Sequence, residues 1–419
     1  MMVRIRFPDI SILRYAVYVI ILFPILAPYY LLQHAVYGIL IDYWTYLSIV
    51  IMTVLVIKNI YRISGTIFLI ISMYMLLLAT TIMNGGEAIA VIKHSIKLVL
   101  LCCVIDTVIY EEKTAMTFLR AVRDICSLFF IINLITCIMW KEGIPSLTKN
   151  PQHPYFFFGN VKTTIRIVLP GMLSSTLINH KENKRFSLHS ILYLAGFLYI
   201  YAEVYPTTTS LMAIFVLIIW ILFEHQFINH TTQIFFASLC FVLALELLIV
   251  ILSDNTVINL IAELFHKSAD FTGRASLWQR AMISIKENML LGVGRHSPDD
   301  LRISIGNVNG SHNYFLDTLY QSGIIGLSLT LVLILYPILK GNRKEINGNQ
   351  TIYYLVGYSI CLLIMFLSEP FYEYEYYFIP IFYATIVIMN RESKRRRYYI
   401  HVDTSQVDRE GKSCCLLSD

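Results

Sequence analysis

Ser311-His312-Asn313-Tyr314 stands directly before a long apolar run. An imidazole titrates near neutral pH, so His312 at the mouth of a membrane helix suits a general base. Asn313 can orient that ring or bind sugar hydroxyls, and Tyr314 suits the aromatic belt of a membrane interface. Upstream, Trp278, Met282, Ile285 and Met289 recur at i, i+4, i+7 and i+11 within 273–289, which is one face of a helix. Thr272 is its N-cap candidate. Arg274 opens the helix, and Arg280 falls off the apolar face. The segment is too polar to span, which predicts a helix lying on the outer membrane surface. Gly292-Val293-Gly294-Arg295 follows, and its paired glycines predict a tight turn that brings backbone N–H groups close to something, or else an ordinary loop.

A second group of charges lies inside apolar runs. Lys93, His94 and Lys97 sit on or near one face of the stretch 89–110. Lys97 is about nine residues in, roughly 14 Å at 1.5 Å per residue, which makes snorkelling to the surface hard. Arg166 lies three residues into the stretch 163–179, one turn after Lys162, so the two are expected to stack. A guanidinium at headgroup depth can grip a phosphate with two hydrogen bonds. Taken with Arg274, Arg280 and a His, these residues predict an outward-facing basic cavity. Its natural ligand is a polyanionic lipid headgroup such as a lipid-linked pyrophosphate.

Composition dictates what must position these groups. Of 419 residues 57% are hydrophobic and only 15% charged, with a net charge of +5 and a mean hydropathy of +0.63. That much apolar surface exceeds one water-soluble core and excludes a disordered chain. A charge of +5 spread over this length is no nucleic-acid-binding face. The eight cysteines, six in apolar segments and two in the tail, show neither zinc nor disulfide-framework spacing. Cys415 stands five residues from the end, so the tail is no prenylation box.

The sequence therefore predicts an all-α polytopic membrane protein with twelve spans, at 14–32, 36–57, 66–82, 89–110, 119–139, 163–179, 187–203, 208–223, 232–252, 314–338, 351–368 and 375–389. The N-terminal apolar run reads as a retained first helix rather than a signal peptide. With the N-terminus inside, 21 of the 33 Lys and Arg fall in inside segments and 9 in outside loops. The remaining three are Lys93, Lys97 and Arg166. This distribution places both termini in the cytoplasm. Residues 1–389 then form one membrane domain with a large outer loop at 253–313, a second long outer loop at 140–162, and a basic tail at 390–419. Asp299 and Asp300 in the large loop are adjacent carboxylates, either a divalent-cation site or a solvated loop tip.

The run TGRASLWQRAMISIKENMLLGVG, followed by GSHNYFLDTLYQSGIIGLSL, resembles the signature of the O-antigen ligase and O-antigen polymerase superfamily. FFGNVKTTIRIVLPG, from Phe157 to Gly171, resembles the start of a middle helix in bacterial polysaccharide polymerases. The resemblance implies a metal-independent, cofactor-free membrane glycosyltransferase of the GT-C kind. Such an enzyme moves a glycan from undecaprenyl pyrophosphate to an acceptor hydroxyl on the outer face of the bacterial plasma membrane. By the same resemblance, Arg274 matches an arginine that holds the pyrophosphate, and His312 matches the proposed base. Many members also carry an arginine near the outer start of the eighth span, where this chain has Tyr205-Pro206-Thr207-Thr208-Thr209-Ser210; Arg166 or Lys97 could supply that charge. Implied partners are the lipid-linked oligosaccharide, membrane lipids, and chain-length-regulator and flippase proteins.

Three functions compete. A polymerase joins lipid-linked repeat units with inversion, and the Gly292–Gly294 and Gly159–Lys162 stretches favour it. A ligase of the same superfamily attaches finished glycan to lipid A–core. A flippase would need pseudo-symmetric halves, and the chain shows no internal repeat.

Overall fold

The computed structural model describes residues 10–148, 154–184, 187–204, 208–251, 274–307, 310–340, 346–367, 375–376 and 378–391. These are almost entirely helical: α1 (Ile10–Ile25), α2 (Tyr29–Gln33), α3 (Ala35–Lys58), α4 (Ile67–Met83), α5 (Ala88–Ile109), α6 (Glu112–Met139), α7 (Thr164–Lys181), α8 (Leu188–Tyr199), α9 (Thr208–Leu222), α10 (Glu224–Phe227), α11 (Thr231–Ile251), α12 (Arg274–Glu287), α13 (Pro298–Ser304), α14 (Tyr314–Lys340), α15 (Gln350–Phe366) and α16 (Phe378–Arg391). Each of the twelve apolar stretches contains one of these helices. Five helical stretches are long and apolar enough to cross a membrane by length and composition: Ala35–Lys58, Ala88–Ile109, Glu112–Met139, Glu224–Leu248 and Tyr314–Tyr336. Six shorter apolar helices accompany them. The molecule is a helical, multi-pass membrane protein.

Burial divides the helices into an inner and an outer set. Nearly every described residue of α15 from Ile352 to Phe366 is buried, so its apolar side chains meet protein on all sides. It is wedged among α7, α9 and α11. The opposite holds for α3, whose buried residues are Ile41, Ser48 and Met52 while Leu40, Tyr43, Val50 and Val54 are exposed. A helix this apolar with so little covered is one that faces lipid. At the end of the molecule carrying Arg14 and Arg62, both arginines converge on Glu111. A hydrogen bond from Thr114, followed by the charges of Arg62 and Arg14, holds the Glu111 carboxyl below its ordinary range.

Two features depart from the expected outline. The outer stretch 140–162 contains a two-stranded hairpin, β1 (Tyr155–Phe156) with β2 (Gly159–Asn160). Its turn is buried among helices: Phe158 N–H donates to Asn133 Oδ1 at 3.0 Å, and Gly159, at φ +99°, lies so close to Tyr29 that a Cβ would stand 3.0 Å from it. The second departure is the orientation of α12. Its apolar face is covered by α13 and α14, with Trp278, Ala281 and Ile285 buried against Leu301, Ile305, Leu316 and Tyr320. The expected surface helix thus spends its apolar stripe on protein contacts, and Met289 at the far end of the predicted face is exposed. Thr272, its expected cap, and residues 392–419 of the basic tail lie outside the described residues.

Candidate active site

The His312 turn is held on both flanks. Ser311 is fully buried, and its N–H and Oγ both donate to Asp317 Oδ1 at 2.7 Å. Its carbonyl accepts the Trp278 indole N–H at 3.0 Å. On the other flank the Asn313 side chain plays two structural parts. Its Oδ1 accepts the Leu316 N–H at 3.0 Å, which caps α14, and its Nδ2 donates to Glu246 Oε2 of α11 at 2.7 Å. With both neighbours anchored, His312 adopts φ 56°, a left-handed conformation uncommon outside glycine. Such a conformation persists only where the surroundings impose it, and the ring it carries is half-buried.

Two expectations change here. Asn313 bonds to α14 and α11, and the residue found against the imidazole is a different asparagine. The orienting group is Asn307, whose Nδ2 donates to His312 Nε2 at 3.1 Å. Sequence spacing offered no sign of this contact, which depends on the chain returning after α13. Tyr314 is also no interface residue: it is buried, stacked on Phe366 at 4.3 Å and edge-on to Phe378 at 5.0 Å.

The two arginines predicted for the site both lie on α12. Arg274 is the first residue of α12, where backbone N–H groups and the helix dipole add to its positive charge. Arg280, exposed on the same helix, lies against Gly306, where a Cβ would come within 2.7 Å of its guanidinium. Gly306 precedes Asn307, the residue that contacts His312. Asp299 and Asp300 occupy the first turn of α13, where Ser297 caps the helix and donates to Asp300 at 2.7 Å.

The intramembrane cations occupy a separate place. Lys93, Lys97 and Arg166 line one cavity of 410 Å³ between α1, α3, α5 and α7, together with Asp42, Gln33 and Tyr376. Lys97 Nζ lies 5.0 Å from the centre of the Tyr376 ring, a cation–π contact. Arg166 is delivered by the hairpin: Thr163 Oγ1 donates to the Phe158 and Asn160 carbonyls, fixing where α7 begins. Lys162 falls on the short turn Val161–Thr163 that precedes α7, so it and Arg166 do not share a helical turn; its side chain lies outside those described. Arg274, Arg280 and His312 do not line this cavity. His94 turns from its lysine neighbours to Glu375, at 2.7 Å, and Tyr74 donates to the same carboxylate oxygen at 2.5 Å. Sequence reasoning did not single out Glu375, Asp317 or Glu246 for these roles, because each acts through a residue distant in the chain.

The Gly292-Val293-Gly294 segment connects the two places. It runs along a break in α14, where Gly323 takes φ 60° and ψ −165°. Val293 N–H donates to the Tyr320 carbonyl at 2.8 Å and Gly294 N–H to that of Gln321 at 2.9 Å. A Cβ on Gly292 would lie 2.6 Å from Gly323 N, and one on Gly294 2.4 Å from Thr81 Cα. These glycines are required by close backbone approach, as expected, but the approach is to α14 and α4. The N–H groups of Val293 and Gly294 are thereby spent within the protein. Arg295 comes next. Its N–H donates to Thr81 Oγ1 at 2.9 Å and its carbonyl accepts from Glu87, which brings it into electrostatic range of Lys97.

The family comparison falls on this machinery. Residues 181–331 match the family model described as O-antigen ligase. The matched stretch, just over a third of the chain, takes in α12, the Gly292–Gly294 segment, the His312 turn and the break at Gly323. No curated protein and no solved structure matches the chain. The family thus covers the His312 half of the site, while Lys93, Lys97 and Arg166 lie before the match. Tyr205-Pro206-Thr207, where many members carry an arginine, lies outside the described residues.

Proposed function

We propose that this protein is a polysaccharide polymerase. It transfers a glycan from undecaprenyl pyrophosphate to a hydroxyl of a second lipid-linked repeat unit on the outer face of the bacterial plasma membrane. The observation that carries the reading is the convergence of Lys93, Lys97 and Arg166 on one cavity, with Arg295 brought alongside by the family segment. Asp42 is the carboxylate that lines this cavity with them, so the lining carries an excess of positive charge that suits the pyrophosphate of a lipid carrier.

His312 removes the proton from the attacking hydroxyl. The oxygen bonds to the anomeric carbon, the carbon–oxygen bond to the pyrophosphate breaks, and the electron pair leaves with the pyrophosphate. Preset cations of the Lys93, Lys97 and Arg166 cavity stabilise the charge that develops on it, and Arg274, which does not line that cavity, acts from the α12 terminus. One displacement inverts the anomeric centre. The cation cluster does the work of a metal, so the reaction is metal-independent. In this reading the twelve apolar helices all cross the membrane and both termini are cytoplasmic.

The family description itself favours a second reading, a ligase that delivers the glycan to lipid A–core. Reconstitution in proteoliposomes with a pyrophosphate-linked repeat unit separates these. A ladder of longer lipid-linked glycans that persists in EDTA is expected. Transfer only when lipid A–core is added identifies a ligase, and translocation with no new glycosidic bond identifies a flippase.

A further inference from the structure

A second cavity adjoins the basic one. It has a volume of 220 Å³ between α1, α5, α6, α7, α15 and α16, and its walls are dominated by apolar side chains such as Leu173, Leu177, Ile381 and Ile388. Ile25, Leu26 and Tyr376 line both cavities. The far end holds Glu112 and Lys181, which pair at 2.9 Å. Lys181 belongs to the face assigned to the cytoplasm, whereas Lys93 and Arg166 stand at the outer ends of their helices. The two cavities therefore follow one another across the thickness of the membrane, cationic outside and apolar within.

Tyr376 is fixed where they meet. Its hydroxyl donates to the His94 carbonyl at 3.2 Å, and its ring lies 4.5 Å from the His94 ring. The preceding residue, Glu375, holds His94 Nε2 and the Tyr74 hydroxyl. α5 directly, and α4 through Glu375, thus fix one aromatic ring, which meets Lys97 in the basic cavity and borders the apolar one.

We infer that the apolar cavity seats the isoprene units nearest the pyrophosphate of the lipid carrier, with Tyr376 marking the boundary between headgroup and tail. The inference rests on the reading of the basic cavity as a pyrophosphate site. The chemistry is that of an amphiphile: an anion that needs cations, joined to a branched hydrocarbon that gains by leaving water. A volume of 220 Å³ holds only a short piece of such a chain, so the rest of the tail continues into the bilayer.

Photolabelling of the full-length protein in nanodiscs tests this. The probes are farnesyl pyrophosphate with a diazirine on its terminal isoprene, the same probe as the free alcohol, and inorganic pyrophosphate as competitor. Labelling is expected on α7 around Leu173–Leu177 or on α16 around Ile381–Ile388. Excess inorganic pyrophosphate should suppress it, and the alcohol should label on the order of 10-fold less. Ala384→Phe, which fills the cavity, should remove the label while inorganic pyrophosphate still binds. Label confined to lipid-facing helices such as α3, or label that Ala384→Phe leaves in place, overturns the tail site while leaving the headgroup reading intact. Equal labelling by the alcohol shows a cavity for ordinary apolar molecules and also overturns it. If inorganic pyrophosphate neither binds nor protects, the headgroup reading fails and the inference with it.

Discussion

The Asn313 amide donates to the Glu246 carboxylate at 2.7 Å, tying the first turn of α14 to α11 across 67 residues of chain, with both side chains buried. This bond makes Asn313 a structural residue beside a catalytic candidate. Asn313→Ala removes a helix cap and leaves Glu246 buried without this donor, at a cost of about 2 kcal/mol or more. Thermal unfolding of the purified protein should show a lowered midpoint.

Asn307 makes the complementary case. Its contact with His312 orients the ring, and it caps no helix. Asn307→Ala should leave the unfolding midpoint near wild type while turnover falls on the order of 10-fold. A drop in stability matching that of Asn313→Ala would assign Asn307 to the scaffold.

The contact between the Gly292–Gly294 segment and the break in α14 depends on absent side chains. A Cβ on Gly323 would stand 2.3 Å from the Leu290 carbonyl oxygen, at a φ that disfavours any other residue. Gly323→Ala should cost a few kcal/mol. Its yield of monodisperse protein on size exclusion should fall well below that of Gly65→Ala, where an added methyl meets open space.

Lys97 and Arg166 should matter for the donor. Lys97→Met and Arg166→Met are each expected to weaken pyrophosphate binding on the order of 10-fold or more, measured by calorimetry. Arg280→Met, on a residue that does not line the cavity, should leave that affinity unchanged.

The helical framework was legible because apolar runs of this length leave few alternatives, and each contains a helix. Lys93, Lys97 and Arg166 stood out for a similar reason: a cation within an apolar run is costly and needs a partner. The relations that assemble the site were hidden because they are tertiary. Asn307 reaches His312 only after α13 folds back, Glu375 meets His94 across 281 residues, and the partners of Gly292 and Gly294 belong to α14 and α4. Periodicity gave α12 its apolar face but could not say whether lipid or protein covers it. Adjacency in sequence likewise made Asn313 a candidate to orient His312, whereas the asparagine found against the ring is Asn307.

The most direct test of the proposed chemistry is turnover by His312→Ala in proteoliposomes supplied with the pyrophosphate-linked repeat unit, alongside pyrophosphate binding by the same preparation. Turnover is expected to fall on the order of 100-fold or more, leaving single repeat units, with pyrophosphate affinity unchanged. Wild-type ladders from that variant would contradict the assignment of His312 as the base.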